Sequence, residues 1–402
     1  MAKKAVEYKK VIQNKVIQYV RGIICLAVGL TIVLCLTPSV AVMAAGVPDI
    51  DAAAYVLMAA DGGEVLAAEN ADVRRFPAST TKIMTMVLAL EAVERGDASL
   101  EDIVSTSEYA ASMGGSQVYL YPGEQRTLDE MLVAVAVGSG NDASVAVAEH
   151  IGGSIGNFVA MMNQRAAELG MTGTHYANPH GLHDPEHYTT AGDMAKLAHH
   201  AISVPHLLEY TGIYEYQFRG EPKPLVLWNT NRLLKWYEGT DGMKTGYTSD
   251  AGHNLVATVK RGDMRLISVV MGVVPTHGHF TESMKLLNHG FNNYSYQLIY
   301  PAGERICAVP VEKGCAVSVP ALVEEAVGLL GSSSGSKDFA TSVLVESFPQ
   351  APVAAGTQLG ELQVLQDGQV VRSVPLLAAA DVPRIGLMQA WIDILREVCR
   401  FN

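Results

Sequence analysis

Residues 128–153 are rich in Ala and Val, and one polar corner interrupts them at Ser139-Gly140-Asn141-Asp142. A helix that is apolar on nearly every side must be covered on nearly every side. The stretch therefore predicts two buried helices joined by a short polar turn. What covers them is legible on either side. Residues 55–58 and 64–67 are short apolar runs around Asp61-Gly62-Gly63, and residues 254–259 and 266–270 flank Arg261-Gly262-Asp263. Both read as β-hairpins. Hairpins at the two ends with helices between them predict an α+β fold, one antiparallel sheet covered by a helical cluster. Further helices are expected over 158–169, stopped at Gly170, after Thr190, and over 280–296. Beyond Tyr300 the texture changes to short β-like runs at 306–310, 316–320, 342–346, 358–366 and 369–375. They predict a small all-β domain over 299–383, with 331–336 as a flexible loop tip.

The chain has 402 residues and a formal net charge of -12. Residues 1–44 run against that sign, with Lys3, Lys4, Lys9, Lys10, Lys15 and Arg21 against Glu7, which leaves the remainder at -17. A body this acidic excludes nucleic acid as a partner, because a phosphate backbone requires a basic footprint. The basic start is followed by an apolar run over 22–36, broken by Pro38 and closed by small residues at Ala44 and Ala45. That is the pattern of a secretory signal over 1–45. The alternative is an uncleaved anchor, but the run is short for a full span. The expected location is outside the cytoplasm, at the outer face of the membrane or in the wall. Three of the five cysteines lie beyond the signal. Cys307 and Cys315 flank a turn at Glu312-Lys313-Gly314, so a disulfide across a hairpin and two free thiols both remain open. The tail, 384–402, places Ile385, Met388, Trp391, Ile392, Leu395 and Val398 at helical spacing. An amphipathic helix there is expected to lie in a membrane surface; docking on its own domain is the alternative.

Three short motifs carry the chemistry. Ser79-Thr80-Thr81-Lys82 puts a hydroxyl and an amine three residues apart at a helix start. The amine can take the serine proton only if it is held neutral, which burial and a second nearby cation achieve. Ser139-Gly140-Asn141 stands at the inter-helix corner. Lys244-Thr245-Gly246 precedes the second hairpin and is expected at the start of an edge strand. Lys244 is the second cation, and with Thr245 it can hold a substrate carboxylate. Gly246 lets a substrate backbone lie along the strand edge. Ser139 can pass a proton between Lys82 and a leaving amine, and Asn141 can hold a substrate amide. The N–H groups of Ser79 and Tyr247 are candidates for an oxyanion hole.

Order and placement of the three motifs match the active-site-serine penicillin-recognising enzymes. With Phe76-Pro77-Ala78 before the serine, and with residues 139–143, 178–182, 229–234 and 241–248, the chain resembles the serine-type D-alanyl-D-alanine carboxypeptidases, the low-molecular-mass penicillin-binding proteins. The likeness is close from about residue 50 to 295 and looser over the β domain and tail. It implies a catalytic domain over 46–298 and hydrolysis of the last D-alanine of peptidoglycan stem peptides through an acyl-enzyme. It also implies acylation by β-lactams, and no metal or other cofactor. In this family the residue after Lys-Thr-Gly varies; here it is Tyr247, whose N–H still serves. Two alternatives stay open: a β-lactamase, which needs an added carboxylate over the acyl bond, and a non-catalytic wall scaffold of the same fold. His180, His183 and His187, with His175 and Asp184, also form a dense histidine loop, but their spacing matches no metal site.

Overall fold

The computed structural model describes residues 46–332, 339–345, 348–366 and 368–386. The expected signal segment, most of the expected loop tip and the tail from residue 387 lie outside the described residues. The central sheet has five strands: β1 (Ala54–Ala59), β2 (Val65–Glu69), β3 (Thr240–Thr248), β4 (Gly252–Arg261) and β5 (Met264–Val273). Their spatial order is β2-β1-β5-β4-β3, all antiparallel. Strands from residues 54–69 and 240–273 thus meet in one sheet, with Val56 opposite Val269.

Strand alternation feeds two cores. Ala54, Val56, Met58, Val256, Ile267 and Val269 face the helical cluster. Tyr55, Leu57, Leu255, Ala257, Leu266 and Val270 face the other way, toward Phe280, Leu286 and Leu287. The helices of the cluster are α1 (Lys82–Glu94), α2 (Leu128–Ala136), α3 (Asn141–Gly152), α4 (Ile155–Glu168) and α5 (Ala191–Ser203); α6 (Gly278–Asn293) covers the opposite face. Ten of the thirteen residues of α1 are buried, as its near-uniform apolar sequence requires. Caps fix the other ends. Thr127 and Glu130 form a capping box at α2, Thr190 accepts from the Asp193 N–H at α5, and Ser154 caps α4, so that helix starts three residues before the expected Phe158.

Several expectations are corrected. The closing helix ends at Asn293, and Tyr294–Tyr300 is a strand that pairs with Val327–Ser332. Its alternating tyrosines suit a half-buried strand better than a helix. Gly331 and Ser332 belong to that second strand and not to a loop tip. Two small two-stranded sheets, Ile103–Ser105 with Gln125–Thr127 and Glu215–Arg219 with Leu225–Trp228, escape the sequence reading because their strands are only three to five residues long. The β-rich part forms a five-stranded sheet around its own core of Val309, Val319, Leu362, Val364 and Leu376. The described residues after Gly46 nevertheless cluster as one compact unit. Cys307 faces Ala321 across its ladder, Cys315 is exposed in the loop, and both are free thiols.

Candidate active site

Ser79 lies in a tight 3₁₀ turn, Ala78–Thr81, that leads directly into α1 at Lys82. In a 3₁₀ turn residues three apart eclipse, so the serine hydroxyl and lysine amine are stacked. Lys82 Nζ sits 3.0 Å from Ser79 Oγ, 2.7 Å from Asn141 Oδ1 and 2.7 Å from the His180 carbonyl. The last two can only accept. A neutral amine has two protons and one lone pair. Two protons go to the two carbonyl oxygens, and the lone pair is left for the serine O–H. Lys82 is wholly buried. Burial, then the neighbouring Lys244 cation, hold its pKa well below the usual lysine value, while Asp142 pulls the other way.

The polar corner between α2 and α3 delivers the second set. Ser139 lies on the cleft wall with φ +54, a left-handed backbone that a non-glycine residue adopts only when its surroundings hold it. Asn141 opens α3. Its Oδ1 holds Lys82, and one Nδ2 proton goes to the Gly114 carbonyl at 2.7 Å. Asp142 braces the corner by accepting the Val118 and Leu120 N–H groups.

Lys244, Thr245, Gly246 and Tyr247 occupy the second half of the edge strand β3, not its start. Lys244 is 1 % exposed, and burial lowers its pKa to about 7. Its amine reaches the Thr245 carbonyl at 3.4 Å. Thr245 Oγ1 lies 2.6 Å from Thr230 Oγ1. Gly246 lies on the cleft wall and also packs against the Ser79 turn. A Cβ there would lie 2.8 Å from the Pro77 carbonyl and 3.0 Å from the Ser79 nitrogen. The glycine lets the turn that carries Ser79 approach the strand. Tyr247 is 61 % exposed and stacks on His253 at 4.4 Å.

Ser79, Ser139, Thr245, Gly246 and Tyr247 line one cleft of about 640 Å³. Trp228, Arg232 and Trp236 extend its wall, and none of the described residues lining it is Asp or Glu. Sequence reasoning missed Asn254, which is fully buried on β4. Its Nδ2 donates to the Phe76 and Pro77 carbonyls, and its Oδ1 accepts the Gly272 N–H. The available signal was an amide at the head of an otherwise apolar strand. The histidine loop has internal duties. His180 Nδ1 accepts the Leu182 N–H, His187 Nδ1 accepts the Ala177 N–H, and His183 packs its ring on Phe76.

The family profile described as D-alanyl-D-alanine carboxypeptidase matches residues 41–274, and that of the penicillin-binding protein 5 C-terminal domain matches residues 294–384. The chain belongs to the D-alanyl-D-alanine carboxypeptidase family. It is 40% identical over 340 residues to the D-alanyl-D-alanine carboxypeptidase DacF of Bacillus subtilis, covering 84% of this chain and 87% of that one. Among solved structures, penicillin-binding protein 5 of Haemophilus influenzae superposes with a TM-score of 0.68 at 35% identity, over 85% of this chain and all of that one. Penicillin-binding protein D2 of Listeria monocytogenes, solved in an ampicillin-bound form, matches with a TM-score of 0.55 at 29% identity, over 60% of this chain and 98% of that one.

Proposed function

We propose that the chain is a serine carboxypeptidase that removes the C-terminal D-alanine from peptidoglycan stem peptides. Ser79 Oγ attacks the penultimate carbonyl carbon as its proton passes to Lys82 Nζ. The N–H groups of Ser79 and Tyr247 receive the oxyanion. Collapse breaks the C–N bond, and the leaving D-alanine amine takes the proton from Lys82 by way of Ser139. Water then attacks the Ser79 ester, gives its proton to Lys82, and releases the shortened peptide as Ser79 regains its proton. Lys244 and Thr245 take the terminal carboxylate, Gly246 keeps the strand against the turn, and Asn141 both aims Lys82 and offers a proton to a substrate carbonyl. One observation carries this reading: a buried amine 3.0 Å from Ser79 Oγ whose other two contacts are both carbonyl oxygens.

β-Lactams present a reactive amide to the same hydroxyl, so they acylate it. With no carboxylate among the described lining residues to activate water, the adduct is long-lived, which separates this reading from a β-lactamase. The experiment is release of D-alanine from a peptide ending in D-Ala-D-Ala. Wild type releases it and Ser79→Ala does not; release by Ser79→Ala would refute the assignment. We also infer export and peripheral attachment, on the basic-then-apolar leader and the amphipathic spacing of the tail. Among the described residues no helix is long and apolar enough to cross a membrane. Loss of the chain from the membrane fraction on deleting 387–402 is the expected result; unchanged fractionation would refute a membrane role for the tail.

A further inference from the structure

Ala78 and Ser79 share one peptide plane, so whatever holds the Ala78 carbonyl also aims the Ser79 N–H. Ala78 has φ +49, an unfavourable conformation for a residue with a Cβ, and therefore needs external restraint. Gly181 packs directly against its carbonyl: a Cβ on residue 181 would fall 1.8 Å from that oxygen. The Thr81 hydroxyl donates to the same oxygen at 2.8 Å. His187 Nε2 lies 2.7 Å from Thr81 Oγ1, and the Ala177 N–H donates to His187 Nδ1 at 2.9 Å.

Two contacts bear on the tautomer of His187. The single Thr81 proton is already given to a carbonyl, so Nε2 must be the donor to Thr81. The Ala177 N–H requires a bare Nδ1. Both conditions select the neutral tautomer protonated at Nε2. The relay is dry, since Ala78, Thr81 and His187 are all buried. Burial also lowers the His187 pKa to about 4, against the opposing influence of Asp184.

We propose that His187 and Thr81 are positioning residues that orient the Ala78–Ser79 peptide so that its N–H serves the oxyanion hole. Neither touches substrate. They act by restraining a strained plane, and aligned hydrogen bonds along the relay strengthen the final N–H as a donor. This inference rests on the serine acyl-transfer reading above.

The test uses the full chain with His187→Phe, Thr81→Val and the hydroxyl-retaining Thr81→Ser, assayed on a D-Ala-D-Ala peptide. A peptidyl boronic acid serves as a probe of the tetrahedral state. His187→Phe and Thr81→Val are expected to lower kcat by about 10- to 100-fold with KM changed less than about threefold, and to lose boronate affinity in parallel. Thr81→Ser is expected to stay within about threefold of wild type. Wild-type kcat in a folded His187→Phe or Thr81→Val would overturn the proposal, as would a rise in KM alone. Wild-type protein supplies a check independent of variant folding: long-range proton–nitrogen NMR must show His187 protonated at Nε2, and protonation at Nδ1 would overturn it. If benzylpenicillin acylation requires Ser79 while Thr81→Val is unimpaired, the relay fails and the serine reading stands. If Ser79→Ala is still acylated, the serine reading itself fails.

Discussion

The two buried lysines set the chemistry of the site at the scale of single side chains. In the proposed reaction Lys82 is uncharged when it accepts the Ser79 proton, whereas Lys244 is charged when it attracts a carboxylate. Their positions push both amines toward neutrality, Lys82 by burial and then by Lys244, and Lys244 by burial alone. For Lys82, the active form is gained as pH rises through its lowered pKa. For Lys244, the active form is lost as pH rises through about 7. The kcat/KM profile is therefore expected to be bell-shaped, with an alkaline limb near pH 7 in the free enzyme. Bound carboxylate stabilises the Lys244 cation, so the alkaline limb of kcat should lie at higher pH than that of kcat/KM. A kcat/KM that climbs steadily to pH 10 would contradict the assignment. Lys82→Arg cannot lose its charge and is expected to lower acylation by about 10²- to 10⁴-fold, measured as the second-order rate with benzylpenicillin.

At the scale of elements, the site depends on how closely strand β3 lies against the nucleophile turn. Gly246→Ala places a methyl group 3.0 Å from the Ser79 nitrogen, and backbone at that spot cannot move aside as a side-chain tip would. The expected outcome is loss of about 1–3 kcal/mol of stability and a larger proportional loss of kcat, read by urea unfolding and by peptide hydrolysis. Asn254→Ala leaves the Phe76 and Pro77 carbonyls without their shared donor, at a cost of about 1–3 kcal/mol by the same unfolding measurement. Unchanged unfolding midpoints would show that the staple is not needed. The motif residues were legible in the sequence because chemistry restricts them to few residue types. Their supports were not. The His180 contribution comes from its backbone carbonyl, and any residue has one. Asn254 and His187 act on a turn 178 and 106 positions away respectively, a distance no local pattern reveals.

For the whole molecule, the class of fold was readable because hairpins 55–67 and 254–270 had to meet somewhere, and they meet as neighbours in one sheet. The strand at Tyr294–Tyr300 was not readable, because its pairing with Val327–Ser332 is non-local and a run of mixed polar and aromatic residues also continues a helix pattern. The β-rich part is tied to the catalytic part by Arg372, which pairs with Asp61 and donates to the Gly328 carbonyl at 3.0 Å. Arg372→Ala is expected to cost about 1–3 kcal/mol in urea unfolding while peptide hydrolysis stays within about twofold of wild type. A large fall in kcat would mean that the β-rich part takes part in turnover. The account as a whole requires that one hydroxyl, activated by one buried amine, carries the covalent step. Its most direct test is the mass of the intact protein after benzylpenicillin, followed by peptide mapping, in wild type and Ser79→Ala. The account predicts a single persistent adduct on Ser79 that is absent in the variant; an adduct that survives the substitution, or that maps to another residue, would contradict it.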